Sequence, residues 1–82
     1  MLSDSQLRWR CRRGVRELDV LFNQFLVDHY SGLEDSEKTT FQNLLEVQDP
    51  QIMDWLFDKE SPQDQAMIKL IEKLRKVSGI VS

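Results

Sequence analysis

Eighty-two residues are one domain's length of chain, near the lower size at which an apolar core outweighs the entropy of ordering, so a thin core is expected. A composition that is 40% hydrophobic and 30% charged, with two prolines and three glycines, is globular and poor in turn formers, which favours helices. One cysteine and one histidine exclude an internal disulfide and a zinc-type ligand cluster, leaving packing to hold the fold.

No stretch approaches the roughly 20 apolar residues of a membrane span, and the first residues carry no apolar signal-peptide core. No membrane insertion and a reducing, cytoplasmic setting are therefore expected. The net charge of -3 is unevenly spread. Residues 1–17 hold Arg8, Arg10, Arg12, Arg13 and Arg16 against Asp4 and Glu17, whereas residues 18–64 hold eleven acids against Lys38 and Lys59. The front uses arginine alone, while the other bases are lysines apart from Arg75. A planar fork of fixed donors suits carboxylate or phosphate recognition, so this partition points either to a contact surface or to a solvated basic face.

In chain order, Leu7, Trp9 and Cys11 supply a small apolar face for a short helix leading to Gly14. From Val15 onward, Leu18, Leu21, Phe22, Phe25, Leu26 and His29 recur at helical spacing, and Gly32 is a candidate end signal. Whether these two stretches form one helix or meet at a bend near Gly14 stays open at this level. Glu34, Asp35 and Glu37 suit a helix start, followed by Phe41, Leu44 and Leu45 as a buried stripe. Next, Asp49 is expected to cap a helix with Pro50 at its first position and Ile52, Trp55 and Leu56 inward. Ser61 and Pro62 repeat that device, with Asp64 reaching back. The last helix turns Met67, Leu70, Ile71, Leu74 and Val77 inward and Lys69, Lys73, Arg75 and Lys76 outward. Residues 78–82 read as a frayed tail.

No window alternates as a strand does. The expected architecture is thus all-α, a single domain over residues 1–82 built as a small bundle of four or five short helices with connections of two to five residues. Buried Phe22, Phe25, Phe41, Trp55, Leu70 and Leu74 would each contribute about 1.5 to 3 kcal/mol, before ordering entropy is subtracted.

Catalytic groups are few. Cys11 and His29 would form a nucleophilic pair only if the fold brought them together; the simpler reading is a small buried hydrophobe and a core or rim histidine. Neither GxGxxG nor GxxxxGK[ST] occurs, so no phosphate-cradling loop is recognisable. What remains is "RWRCRRGVRELD", residues 8–19. If the backbone is helical throughout, Arg13, Gly14 and Glu17 share one side, where a bare glycine lets a partner approach between a donor fork and an acceptor. The alternative is an ordinary intrahelical ion pair beside a glycine that bends one helix into the next.

This segment closely resembles the start of the small succinate dehydrogenase assembly factors of the SdhE type. Their RGxxE signature is matched by Arg13, Gly14 and Glu17. The resemblance continues through Leu44-Leu45-Glu46, Asp49-Pro50 and Trp55-Leu56, covering about residues 7–57 in order. Glu34 departs from the small polar cap that relatives often place before the acidic run.

The resemblance implies a five-helix protein that is not an enzyme. It would bind the flavoprotein subunit of succinate dehydrogenase, and in some bacteria fumarate reductase, and promote covalent attachment of FAD. FAD is then the client's cofactor, and none is expected to be tightly held by this chain. Carried over by position, Arg13, Gly14 and Glu17 form the contact core, extended by Arg8, Trp9, Arg12, Arg16 and Asp19. A monomer is expected, with a weak dimer left open by the thin core. The competing reading is a small helical nucleic-acid-binding or regulatory module using the arginine cluster. The acidic balance and the nearby Glu17 and Asp19 argue against it, so no nucleic-acid partner is expected.

Overall fold

Ser3 starts the first helix by a reciprocal cap: its hydroxyl accepts from the Gln6 amide (3.3 Å), and the Gln6 side chain accepts from the Ser3 amide (2.9 Å). In the computed structural model, which describes residues 3–79, helix α1 runs Asp4–Arg10 and α2 runs Arg16–Asp28. A 3-10 turn over Tyr30–Gly32 then leads to α3 at Asp35–Leu45, α4 at Asp49–Leu56 and α5 at Gln65–Ser78. Five α-helices and no strand are present among the described residues, the expected all-α architecture.

α1 and α2 are separate helices. Cys11 ends α1 in helical conformation, and the backbone then runs outside any helix to Val15, which caps α2 in an extended conformation. The one-helix alignment of Arg13, Gly14 and Glu17 therefore does not hold. Leu7 of α1 and Cys11 at its C-cap, four apart, are buried, whereas Trp9 has 71% of its surface exposed, contrary to its expected inward face.

α2 buries Leu18, Leu21, Phe22 and Phe25 as the periodicity predicts. His29 ends the stripe at the surface, where its ring stacks on Phe25 at a centroid distance of 5.4 Å. Phe41 of α3 is the hub of the aromatic core, with Phe22, Phe25 and Tyr30 at 6.0, 5.2 and 5.6 Å. α5 packs across α2, α3 and α4 through Met67, Leu70, Ile71 and Leu74.

At the start of α3 the Glu37 carboxylate accepts from the Glu34 amide (3.0 Å), so a glutamate stands where a small polar cap was the family expectation. That backbone hydrogen bond, together with Lys73 of α5 at 3.1 Å, holds the Glu37 carboxyl below the usual carboxylate range.

The last two helix starts differ from expectation. Gln48, not Asp49, caps α4; the Asp49 side chain is engaged elsewhere, and Pro50 lies one residue inside the helix. Asp64 caps α5, its side chain accepting from the Met67 amide at 3.2 Å, so Ser61 and Pro62 belong to a longer connection over residues 57–64. Arg75, expected on the outer face, instead turns back to the end of α4. There it donates to the Leu56 and Trp55 carbonyls at 2.9 and 2.7 Å, as a cation suits a helix C-terminus. Trp55 is half-buried, not part of the closed core. Ser78 is the last residue of α5 and Gly79 closes it with φ +80°, a conformation suited to glycine; the rest of the expected tail, residues 80–82, lies outside the described residues.

Candidate functional site

The arginine-rich segment spans the end of α1, the turn after it and the start of α2, and its five guanidinium groups part company. Arg13 turns inward. Its Nε donates to Asp49 Oδ1 (2.7 Å), Nη1 to the carbonyls of Leu45 (2.9 Å) and Arg10 (3.2 Å), and Nη2 to the Val47 carbonyl (2.7 Å). Four of the five N–H donors a guanidinium owns are thereby used inside the protein. The Phe22 ring lies 5.7 Å from the guanidinium carbon. Apart from the Arg10 carbonyl at the end of α1, the acceptors come from the end of α3, the turn after it and the start of α4. One side chain thus ties the α1–α2 turn to the α3–α4 turn.

Two further side chains close the same turn. Asp19, in the first turn of α2, accepts from the Arg13 amide (3.1 Å) and from Asn23 Nδ2 (3.3 Å). Asn23 Nδ2 also lies within donating distance of the Cys11 carbonyl (3.3 Å) and the Asp19 carbonyl (2.7 Å). Outside, Arg10 pairs with Glu46, so the LLE glutamate also reaches back to α1. Cys11 is fully buried beneath the turn, and desolvation pushes its thiol up to about 11 against the lowering influence of Arg13. A thiol held neutral in this way is a packing group, as expected, and not a nucleophile.

The remaining residues face solvent. Arg8, Trp9, Arg12, Gly14, Arg16 and Glu17 are exposed, and Asp19 is half-buried. Arg12 sits over the Trp9 ring, 5.7 Å from its centroid, and both border a shallow depression with Ser5, Arg8, Asp19 and Asn23. Arg16 and Glu17 border a second, more apolar hollow lined by Val20, Leu21, Met53 and Phe57. Val20 and Phe57 are 56% and 51% exposed.

Gly14 lies at the surface. Its φ is not positive, and a Cβ built on it would meet nothing nearer than Asp49 Oδ2, at 4.0 Å. Neither backbone conformation nor internal crowding therefore requires a glycine there.

The sequence thus brings Arg13, Gly14 and Glu17 to one turn but splits their roles: an inward tether, a bare backbone and an exposed carboxylate. Sequence reasoning missed Asp49, Asn23 and Glu46 as parts of this assembly. The Asp-Pro pair read as a helix start, which hid the aspartate's long-range partner. Among the described residues no group of His, Cys, Asp and Glu could hold a metal ion, and no helix is long and apolar enough to cross a membrane.

Comparison with known proteins places the chain in a family. Residues 5–78 match the family described as flavinator of succinate dehydrogenase. The chain is 41% identical over 81 residues to the FAD assembly factor SdhE of Yersinia pseudotuberculosis, covering 95% of this chain and 92% of that protein. It is 36% identical over 78 residues to the protein of the same name from Coxiella burnetii, covering 95% of each, and 40% identical over 81 residues to that of Pectobacterium atrosepticum. With matches of this extent, the chain belongs to the family of flavinators of succinate dehydrogenase.

Proposed function

We propose that this chain binds the flavoprotein subunit of succinate dehydrogenase and promotes covalent attachment of FAD to it, acting by contact and not through a nucleophile of its own. One observation carries the site: Gly14 is exposed, free of any internal need for glycine, and flanked by charged groups left over for a partner. Arg8, Arg16 and Glu17 have no ion pair or side-chain hydrogen bond among the described residues. A bare backbone lets a second protein approach closely, with Glu17 as an acceptor and Arg8, Arg12 and Arg16 as donors around it. Trp9 and the Val20–Phe57 hollow add apolar area on either side.

Holding an immature flavoprotein in the arrangement that sets its flavin against the acceptor residue requires only differential affinity for that arrangement. Proximity of this kind lowers a barrier without a catalytic side chain on the helper. Fumarate reductase, a flavoprotein of related chemistry, is a second client on the same reading. The nucleic-acid reading is weaker, since two of its five arginines, Arg10 and Arg13, are engaged by internal partners.

The test is Gly14→Arg. The variant is expected to keep the helical fold by circular dichroism, to lose binding to the flavoprotein subunit and to lower its covalent flavin, read by in-gel flavin fluorescence. A folded Gly14→Arg protein that supports normal flavinylation would overturn the proposal.

A further inference from the structure

We propose that Asp49 is a positioning residue of this contact surface, acting through Arg13; the inference rests on the reading of Gly14 and Glu17 given above. Arg13 is poorly placed to be mainly a contact residue. Its side chain is 12% exposed, and Asp49 and three carbonyls take four of its donors. What the guanidinium does instead is fasten the segment next to Gly14 onto the start of α4.

The two ends of that fastening are of different kinds. The carbonyls of Arg10, Leu45 and Val47 are neutral acceptors that any well-placed donor would satisfy. Asp49 alone supplies a countercharge, 18% exposed, and its Oδ1 accepts from Nε at 2.7 Å. Charge-assisted hydrogen bonds are about twice as strong as neutral ones, so Asp49 sets the position of the fork and through it the Arg13 backbone. The Arg13 amide is pinned from the other side by Asp19, leaving Gly14 at the exit of a doubly held residue. Oδ2 of Asp49 is the nearest atom to the position a Gly14 Cβ would take, so the carboxylate also underlies the exposed glycine. Preorganisation of this sort spares a binding surface the entropy of ordering a turn on contact.

The experiment is a double-mutant cycle on affinity for the isolated flavoprotein subunit of succinate dehydrogenase, using Asp49→Asn, Arg13→Lys, the double variant and Gly14→Arg. Amide hydrogen exchange on each free variant separates local from global effects. Asp49→Asn is expected to weaken binding about tenfold by exchanging a charge-assisted hydrogen bond for a neutral one. Faster exchange is expected at residues 12–17 while protection in α2, α3 and α5 is kept. The double variant is expected to bind no more weakly than the worse single one, because both changes release the same tether.

Wild-type affinity in folded Asp49→Asn overturns the inference, as does additivity in the cycle, which would mean that Arg13 touches the client independently of Asp49. If Asp49→Asn does not fold, Asp49→Glu, which keeps the charge on a longer arm, takes its place in the cycle under the same criteria. The Gly14→Arg arm distinguishes the two readings. Loss of binding there with wild-type binding by the Asp49 variant removes only the role of Asp49; unchanged binding by Gly14→Arg removes the contact surface and this inference with it.

Discussion

Arg13 and Asp49, 36 positions apart in the chain, meet Nε to Oδ1 at 2.7 Å and join the α1–α2 turn to the α3–α4 turn. The arginine of RGxxE and the aspartate of the DP pair are thus halves of one interaction. Its surroundings are mostly dry, with side-chain exposures of 12% and 18%, so removing one partner leaves the other's charge unmatched. Arg13→Ala is expected to destabilise the protein by about 3 kcal/mol, in the range for breaking a buried pair, because it strands Asp49 and three carbonyls together. Urea unfolding followed by far-ultraviolet circular dichroism measures it. A loss below about 1 kcal/mol, the range of exposed pairs, would show that water replaces the guanidinium freely.

Gly14 offers the opposite case. Because its φ is not positive and a Cβ would find 4.0 Å of clearance, Gly14→Ala is expected to fold normally. It should gain about 0.4 to 1 kcal/mol by restricting the unfolded chain. Stability that falls by a comparable amount would mean that the glycine serves the fold, and the argument from its bareness would lose its ground.

The start of α5 separates two candidate caps. Asp64→Ala is expected to cost about 1 kcal/mol, since its carboxylate accepts from the Met67 amide, whereas Ser61→Ala should be nearly silent. Paired thermal denaturation of the two variants decides between them. The reverse ranking would restore Ser61 as the cap.

Cys11 makes a prediction about pH. Its thiol is raised from the ordinary 9.0 to about 11 in the folded state, chiefly by desolvation, so the folded chain holds this proton more tightly than the unfolded chain. The contribution is complete below pH 9 and is lost as pH rises from about 9 to about 11. Denaturant midpoints should fall across that window, and Cys11→Ala should flatten the fall. A disulfide reagent at pH 8 should react with native protein far more slowly than with unfolded protein.

Much of the fold is legible in the residues themselves. The stripes Leu18-Leu21-Phe22-Phe25, Phe41-Leu44-Leu45 and Met67-Leu70-Ile71-Leu74 bury as their spacing predicts, because the period of a helix depends only on local geometry. Shorter elements are less determined. In α1 the choice between Trp9 and Leu7 as the inward residue has too few turns to settle it, and only the neighbouring helices fix which side faces the core. Helix starts rich in capping residues are ambiguous for the same reason. Asp49 is a competent cap, yet Arg13 claims its carboxylate, and Gln48 takes the position.

The sequence by itself determined the all-helical class, the composition of the core and, through motifs in order, the family. Periodicity and capping act over a few residues, and ordered motifs need no coordinates to be read. Only the tertiary structure decided which of the clustered arginines work inside and which face solvent. That choice depends on where carbonyls 32 and 34 residues away and a carboxylate 36 residues away come to lie, a distance in sequence over which no local pattern reports.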